Sequence, residues 1–90
     1  MQGVVVSSRE ELTALIGANI RLARRLAGMS QNDVVQAQTG ILARGERAFV
    51  LKELSGWENA RHRPSDHYLA RIAVITEQPL SFFFESHDDD

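Results

Sequence analysis

The feature that most restricts this chain is Pro64, which closes the run Leu54-Ser55-Gly56-Trp57-Glu58-Asn59-Ala60-Arg61-His62-Arg63-Pro64-Ser65. Proline lacks an amide hydrogen and pushes the residue before it away from helical angles, so no helix runs on through Arg63. Leu54 and Trp57 lie three apart, with Val50 one turn earlier, which predicts a helix burying all three. Asn59 can end that helix, because its short amide tolerates left-handed angles. Ser65 can cap the next. Arg61, His62 and Arg63 then form a short exposed link where cations can meet a polyanion. A solvated loop between two core helices fits these residues equally well, so the chain on either side must decide.

Upstream, Ser8-Arg9-Glu10-Glu11 is a capping-box pattern. From Glu10 to Ala27 the residues Leu12, Leu15, Ile16, Ile20, Ala23 and Leu26 recur at the helical period. Arg21, Arg24 and Arg25 occupy its last two turns, where cations complement the helix dipole. Gly28 ends this helix, and Ser30-Gln31-Asn32-Asp33 opens a second one, running to about Gln38 with Val34, Val35 and Ala37 as its apolar residues. Gly40 and Gly45 punctuate the next stretch, each about 1 kcal/mol worse than alanine inside a helix. A connector over Thr39–Ala48 is therefore expected, with the third helix starting near Glu46. A helix from Ile41, or a small hairpin around Arg44-Gly45-Glu46, are the alternatives. After Pro64, residues 65–75 read as a helix with Tyr68, Leu69, Ile72, Ala73 and Ile75 toward the core.

Ninety residues make one domain whose core must be well packed. With no cysteine there is neither a disulfide staple nor thiolate chemistry. His62, His67 and His87 lack metal-ligand spacing, so no metal or other cofactor is expected. No pair of titratable groups has a catalytic arrangement and no glycine loop cradles a phosphate, which reads as a protein that is not an enzyme. No apolar run approaches the roughly 20 residues of a membrane span, and no signal-like core follows the N-terminus. Net charge is −2, yet from Asn19 to Arg71 nine basic residues face five acidic ones, a net of +4. A basic middle and an acidic end are compatible with a nucleic-acid partner, because the local field governs phosphate attraction.

Two blocks carry a more specific signal. Ile16-Gly17-Ala18-Asn19-Ile20-Arg21-Leu22-Ala23-Arg24-Arg25, then Gly28-Met29-Ser30-Gln31, is similar to the first helix and second-helix opening of the Cro/lambda-repressor-like (XRE) helix-turn-helix family. Trp57-Glu58-Asn59, followed by Arg61, Arg63, Pro64 and Ser65, resembles the link after that family's third helix. The likeness covers roughly residues 12–85. It implies an all-α, five-helix domain over residues 8–85, with residues 1–7 as an N-terminal arm and 86–90 as a disordered acidic tail. Ser30 to Trp57 exceeds the usual spacing, so the resemblance also implies an insertion before or within the third helix.

By this resemblance, the protein is a cytoplasmic, nucleoid-associated regulator of a bacterial or phage-infected cell. It would bind double-stranded DNA as a homodimer on a palindromic operator. Gln31, Arg61 and Arg63 would hold phosphates, helped by Arg24 or Arg25, with Asn32 beside Gln31. Arg44, Arg47, Lys52 and Ser55 are the polar candidates near the third helix. Val50 and Leu51 depart from the polar residues the family offers there, and Gly56 stands where a basic residue is common. A protein–protein module on the same fold, antitoxin-like or antagonist, is the rival reading. Residues 76–85 are similar to the family's short fifth helix, with Glu77 in place of a usual glycine. Phe82, Phe83 and Phe84 share one turn, so either one covers a partner surface or Pro79-Leu80 tilts all three onto one core.

Overall fold

The structure, a computed structural model, describes residues 8–87; the arm at 1–7 and the last three tail residues lie outside them. Ser8 Oγ accepts from the Glu11 amide and starts helix α1, Arg9–Leu26. Ser30 and Asp33 exchange side-chain and backbone hydrogen bonds, the reciprocal capping box, and open α2, Gln31–Ala37. A 3-10 turn over Gln38–Gly40 follows. Helix α3 spans Leu51–Glu58, and α4 spans Asp66–Thr76 behind the Ser65 cap. A 3-10 helix, Leu80–Phe84, ends the described chain. Four α-helices and two 3-10 segments, without a strand among the described residues, make an all-α fold. Over residues 76–85, where the resemblance implies a short fifth helix, the chain forms the 3-10 segment Leu80–Phe84 in place of an α-helix.

Each face that the periodicity selected is mostly buried. Ile16, Ile20 and Ala23 of α1 meet Val34 of α2, Leu54 and Trp57 of α3, Leu69, Ile72 and Ala73 of α4, Phe49 from the connector and Phe83 from the 3-10 helix Leu80–Phe84. Leu26 is an exception at 63% exposure, because α1 ends as it passes the core edge. Val50 is another: it lies outside the buried face of α3 and is 48% exposed. Phe49 takes its place, with its ring edge-on to Trp57 at 5.2 Å and to Tyr68 at 5.7 Å.

Helix α3 starts at Leu51, five residues later than expected. The reason is hydrogen bonding. Gln38 donates to the Phe49 carbonyl at 2.8 Å and accepts from its amide at 2.9 Å, so both backbone groups are taken. Glu46 is spent on its own loop, accepting from the Ala43 amide at 2.7 Å. The Arg44-Gly45 turn closes through the Glu46 amide and the Ala43 carbonyl, with Gly45 at φ +84. The connector therefore turns where the hairpin alternative placed its turn, but its flanks form no strands. Leu42 is half-buried, and Ile41 is exposed where it lines a shallow pocket with Ala70 and Val74 of α4.

Three helices end in the same double hydrogen bond. Gly28 and Met29 bond back to Arg25 and Arg24, Ala60 and Arg61 to Trp57 and Gly56, and Glu77 and Gln78 to Val74 and Ala73. Each pair needs a left-handed residue. After α3 it is Ala60, at φ +60, and not Asn59, which stays at φ −97. Asn59 instead turns its amide back onto the Ser55 carbonyl at 2.9 Å.

Candidate functional site

Glu58, at the last turn of α3, has a side chain with 0% exposure and gathers three elements. Arg24 of α1 grips both its oxygens, at 2.7 and 2.9 Å. Arg21 reaches it at 3.4 Å, and Gln31, the first residue of α2, donates at 3.1 Å. Burial pushes the carboxyl up, but the hydrogen bonds from Arg24 and Gln31 outweigh it and hold Glu58 below the ordinary range. Arg24 also donates to the Met29 carbonyl at 3.0 Å, closing the corner between α1 and α2. Two residues expected at phosphates are thus turned inward, Arg24 wholly and Gln31 through one amide hydrogen. A buried carboxylate attracts both more strongly than solvent does.

At the other end of α3 the first turn projects. Val50 offers no capping oxygen, and its amide bonds instead to Glu53 Oε1 at 3.0 Å. The same oxygen accepts from Arg47 at 3.2 Å, and Arg47 donates to the Tyr68 hydroxyl at 2.6 Å. The Val50 amide is the main cause holding the Glu53 carboxyl low, with Arg47 adding to it. Val50, Leu51 and Lys52 are exposed on this turn, while Ser55 is half-buried and its hydroxyl accepts from Asn59. Arg44 and Arg47 do not share a helix face: both lie in the connector, Arg44 at its turn and Arg47 tied to α3 and α4.

Behind the connector sits Arg71 of α4, buried and facing inward. It donates to Gln38 Oε1 at 2.9 Å and to the Arg47 carbonyl at 3.0 Å, and its guanidinium lies 5.1 Å from the Tyr68 ring centre. His67 Nε2 stands 3.0 Å from Glu46 and 3.1 Å from Arg71. The hydrogen bond from the Ala43 amide lowers the Glu46 carboxyl first, with the charges of Arg71 and His67 adding to it. Arg71 counted as one of the nine cations in sequence, but it is a structural cation under the connector. Gln38, Arg71 and Asn19, whose amide donates to the Phe83 and Glu85 carbonyls, were not singled out from sequence. The signal was present: each lies three or four residues from an apolar core position on its own helix or its edge.

Compared with known protein families, curated proteins and solved structures, the chain matches none. Function must be read from the charges. All five acidic residues between Asn19 and Arg71 are committed within the protein: Asp33 to its cap, Glu46 to the connector and α4, Glu53 to Val50 and Arg47, Glu58 to the α1–α2 corner, and Asp66 to Arg63 at 3.1 Å. Among the described residues, the side chains of Arg25, Arg44, Lys52 and Arg61 engage in no ion pair or hydrogen bond. All four are exposed, as is Asn32. Arg63 shares its charge with Asp66 and lies 5.6 Å from the Phe84 ring. Among the described residues no three His, Asp or Glu side chains gather as metal ligands, and no helix is long and apolar enough to cross a membrane.

Proposed function

We propose that the chain is a sequence-specific double-stranded DNA-binding regulator of the Cro/lambda-repressor-like kind, with α2 and α3 as its helix-turn-helix. It would act as a cytoplasmic repressor at a palindromic site. The observation that carries this reading is the charge ledger just described. Four of the five acids in the basic middle sit against cations and Asp33 caps α2, which leaves Arg25, Arg44, Lys52 and Arg61 as surface cations without an ion-pair partner. Phosphate attraction depends on that local excess and not on the overall charge of −2. Glu58 supports the reading too, since it locks the start of α2 to the end of α3 while the first turn of α3 stays exposed.

In this reading Arg61 and Arg63 hold phosphates beside α3, Arg25 flanks α2, and Arg44 and Lys52 approach from the connector side. Gln31 gives one amide hydrogen to Glu58 and keeps the other and its carbonyl oxygen for partners, so its part is chiefly to aim α2. The test is a salt titration on a random duplex and on duplexes selected from a random pool. Affinity is expected to fall linearly on logarithmic axes, by about 0.9 per phosphate neutralised. Replacing Arg61 and Arg63 together by alanine is expected to weaken both kinds of duplex and flatten the slope by about 1 to 2. Salt-independent binding, or none, would overturn the reading.

One observation favours a protein partner as well. Of the three phenylalanines, Phe83 is buried, Phe82 is half-buried and stacks on His87 at 4.0 Å, and Phe84 is 39% exposed next to exposed Leu80. Two copies joined through this 3-10 segment would present two helix-turn-helix units to a palindrome. The antitoxin-like alternative would place a different protein on the same patch.

A further inference from the structure

Resting on the duplex-DNA reading, we propose that Val50 and Leu51 form an apolar tip that reads the C5-methyl groups of pyrimidines in the major groove. Four observations point to this ligand.

Valine is a poor cap for the start of a helix, because it lacks the oxygen that serine or aspartate offers the free amides. Folding gains only part of their burial in return, since Val50 and Leu51 are 48% and 40% exposed. The tip is also tied into the fold by a chain of hydrogen bonds. Glu53 fixes the Val50 amide, Arg47 fixes Glu53, and Tyr68 fixes Arg47. Leu54 and Trp57 anchor the next turn in the core. A reader of single methyl groups needs that precision, as the contact is small and non-directional.

The surroundings select among occupants. Lys52 is a free cation on the same turn and Arg47 lies against it, while the turn's one acid, Glu53, is consumed. A small apolar spot rimmed by cations is complementary to thymine methyls between phosphates. It suits a protein partner poorly, because two half-exposed aliphatic side chains fall far short of the roughly 800 Å² that each partner buries in a stable interface. In the major groove, thymine and 5-methylcytosine alone present a methyl group.

Replacing thymine by uracil deletes that methyl and leaves every hydrogen-bonding group in place. The full chain is first used to select duplexes from a random pool. Each thymine of a selected duplex is then changed singly to uracil, and binding is measured by fluorescence anisotropy. At one or two positions the affinity is expected to fall about fourfold, the worth of one methyl group withdrawn from water. In Val50→Ala and Leu51→Ala, checked for folding by circular dichroism, the drop at the matching position is expected to disappear. Tight binding that ignores every uracil change would overturn the proposal and leave the DNA reading standing. A uracil effect that persists in both variants would also overturn it, because the methyl would then act through duplex shape. No duplex selected at any salt would overturn both readings together.

Discussion

The side chain of Gln38 clasps Phe49 by both backbone groups, as a neighbouring strand would. All four hydrogen-bonding positions of this amide are filled, since its nitrogen also donates to the Val35 carbonyl and its oxygen also accepts from Arg71. Both residues are buried, so nothing in water can substitute. Gln38→Ala strands the Phe49 amide and carbonyl and one Arg71 hydrogen, and opens a cavity. It is expected to cost about 4 kcal/mol. Gln38→Glu keeps the acceptor and loses the donor, and is expected to cost about 2 kcal/mol. Urea denaturation checks both; a loss below about 1 kcal/mol for Gln38→Ala would mean that Phe49 is held by packing alone.

Glu58 gives the fold a definite acid dependence. Its carboxyl is held low in the folded chain, so it binds a proton less readily than in the unfolded chain, where the pKa is about 4.3. The stability it contributes is therefore full above that value and lost as pH falls through the lower folded value. Glu46 and Glu53 shift the same way and add to the slope. Glu58→Gln leaves Arg24 without its anion and is expected to cost about 3 kcal/mol at pH 7. The gap to the parent is expected to narrow near pH 3. Denaturation at both values checks it, and an unchanged gap would separate the loss from the charge.

Gly17 marks where α1 crosses the end of α3. A methyl group there would sit 2.3 Å from the Trp57 carbonyl oxygen, which is backbone and already accepts from Ala60. Gly17→Ala is expected to cost about 3 kcal/mol, at the upper end for overpacking. Gly40, with open space around its absent methyl and no left-handed angle, is expected to gain about 0.5 kcal/mol as alanine. Thermal denaturation of the two variants separates crowding from helix propensity.

The helices were legible because their signals are local. Ser8, Ser30 and Ser65 cap where a capping pattern predicts, and the apolar period picks out Ile16, Ile20, Leu54, Trp57, Leu69 and Ile72. The start of α3 was not legible, because what delays it is the side chain of Gln38, eleven residues away from Phe49. The candidate site was half legible for the same reason. Composition counts Arg24, Arg47 and Arg71 as cations, and only tertiary contacts show which charges are already spent. Arg61 and Lys52 form no ion pair, although Glu10 lines the same pocket as Arg61 and Glu53 follows Lys52.

Two left-handed positions can be improved. Ala60 and Glu77 both stand at φ +60 in helix-ending motifs where glycine avoids a Cβ clash. The strain of about 1–2 kcal/mol per residue exceeds the entropy glycine adds to the unfolded chain. Glu77→Gly is expected to stabilise by about 0.5 kcal/mol, roughly 2–4 °C in melting temperature for a domain this size. Calorimetry checks it. Destabilisation would show that the Glu77 side chain makes up for its backbone strain.

The connector arginines are expected to divide by their contacts. Arg44 touches nothing charged, so Arg44→Ala is expected to leave stability within about 0.5 kcal/mol. Arg47 makes exposed bonds to Glu53 and Tyr68, worth at most about 1 kcal/mol. Arg71 is buried among Gln38, the Arg47 carbonyl and Glu46. Arg71→Met leaves the Arg47 carbonyl unpaired and takes one of several partners from Gln38 and Glu46, at about 2 kcal/mol. Excising residues 41–48 would instead take Glu46 and the Arg47 carbonyl from the buried Arg71 and leave it only Gln38 and His67 as hydrogen-bond partners, so the shortened chain is expected to unfold. The connector is thus a structural strap that carries one free cation. On duplexes, Arg44→Ala is expected to weaken binding and lower the salt slope by about 1. Unchanged affinity and slope in that folded variant would remove Arg44 from the interface and leave Arg61 and Lys52 to define it.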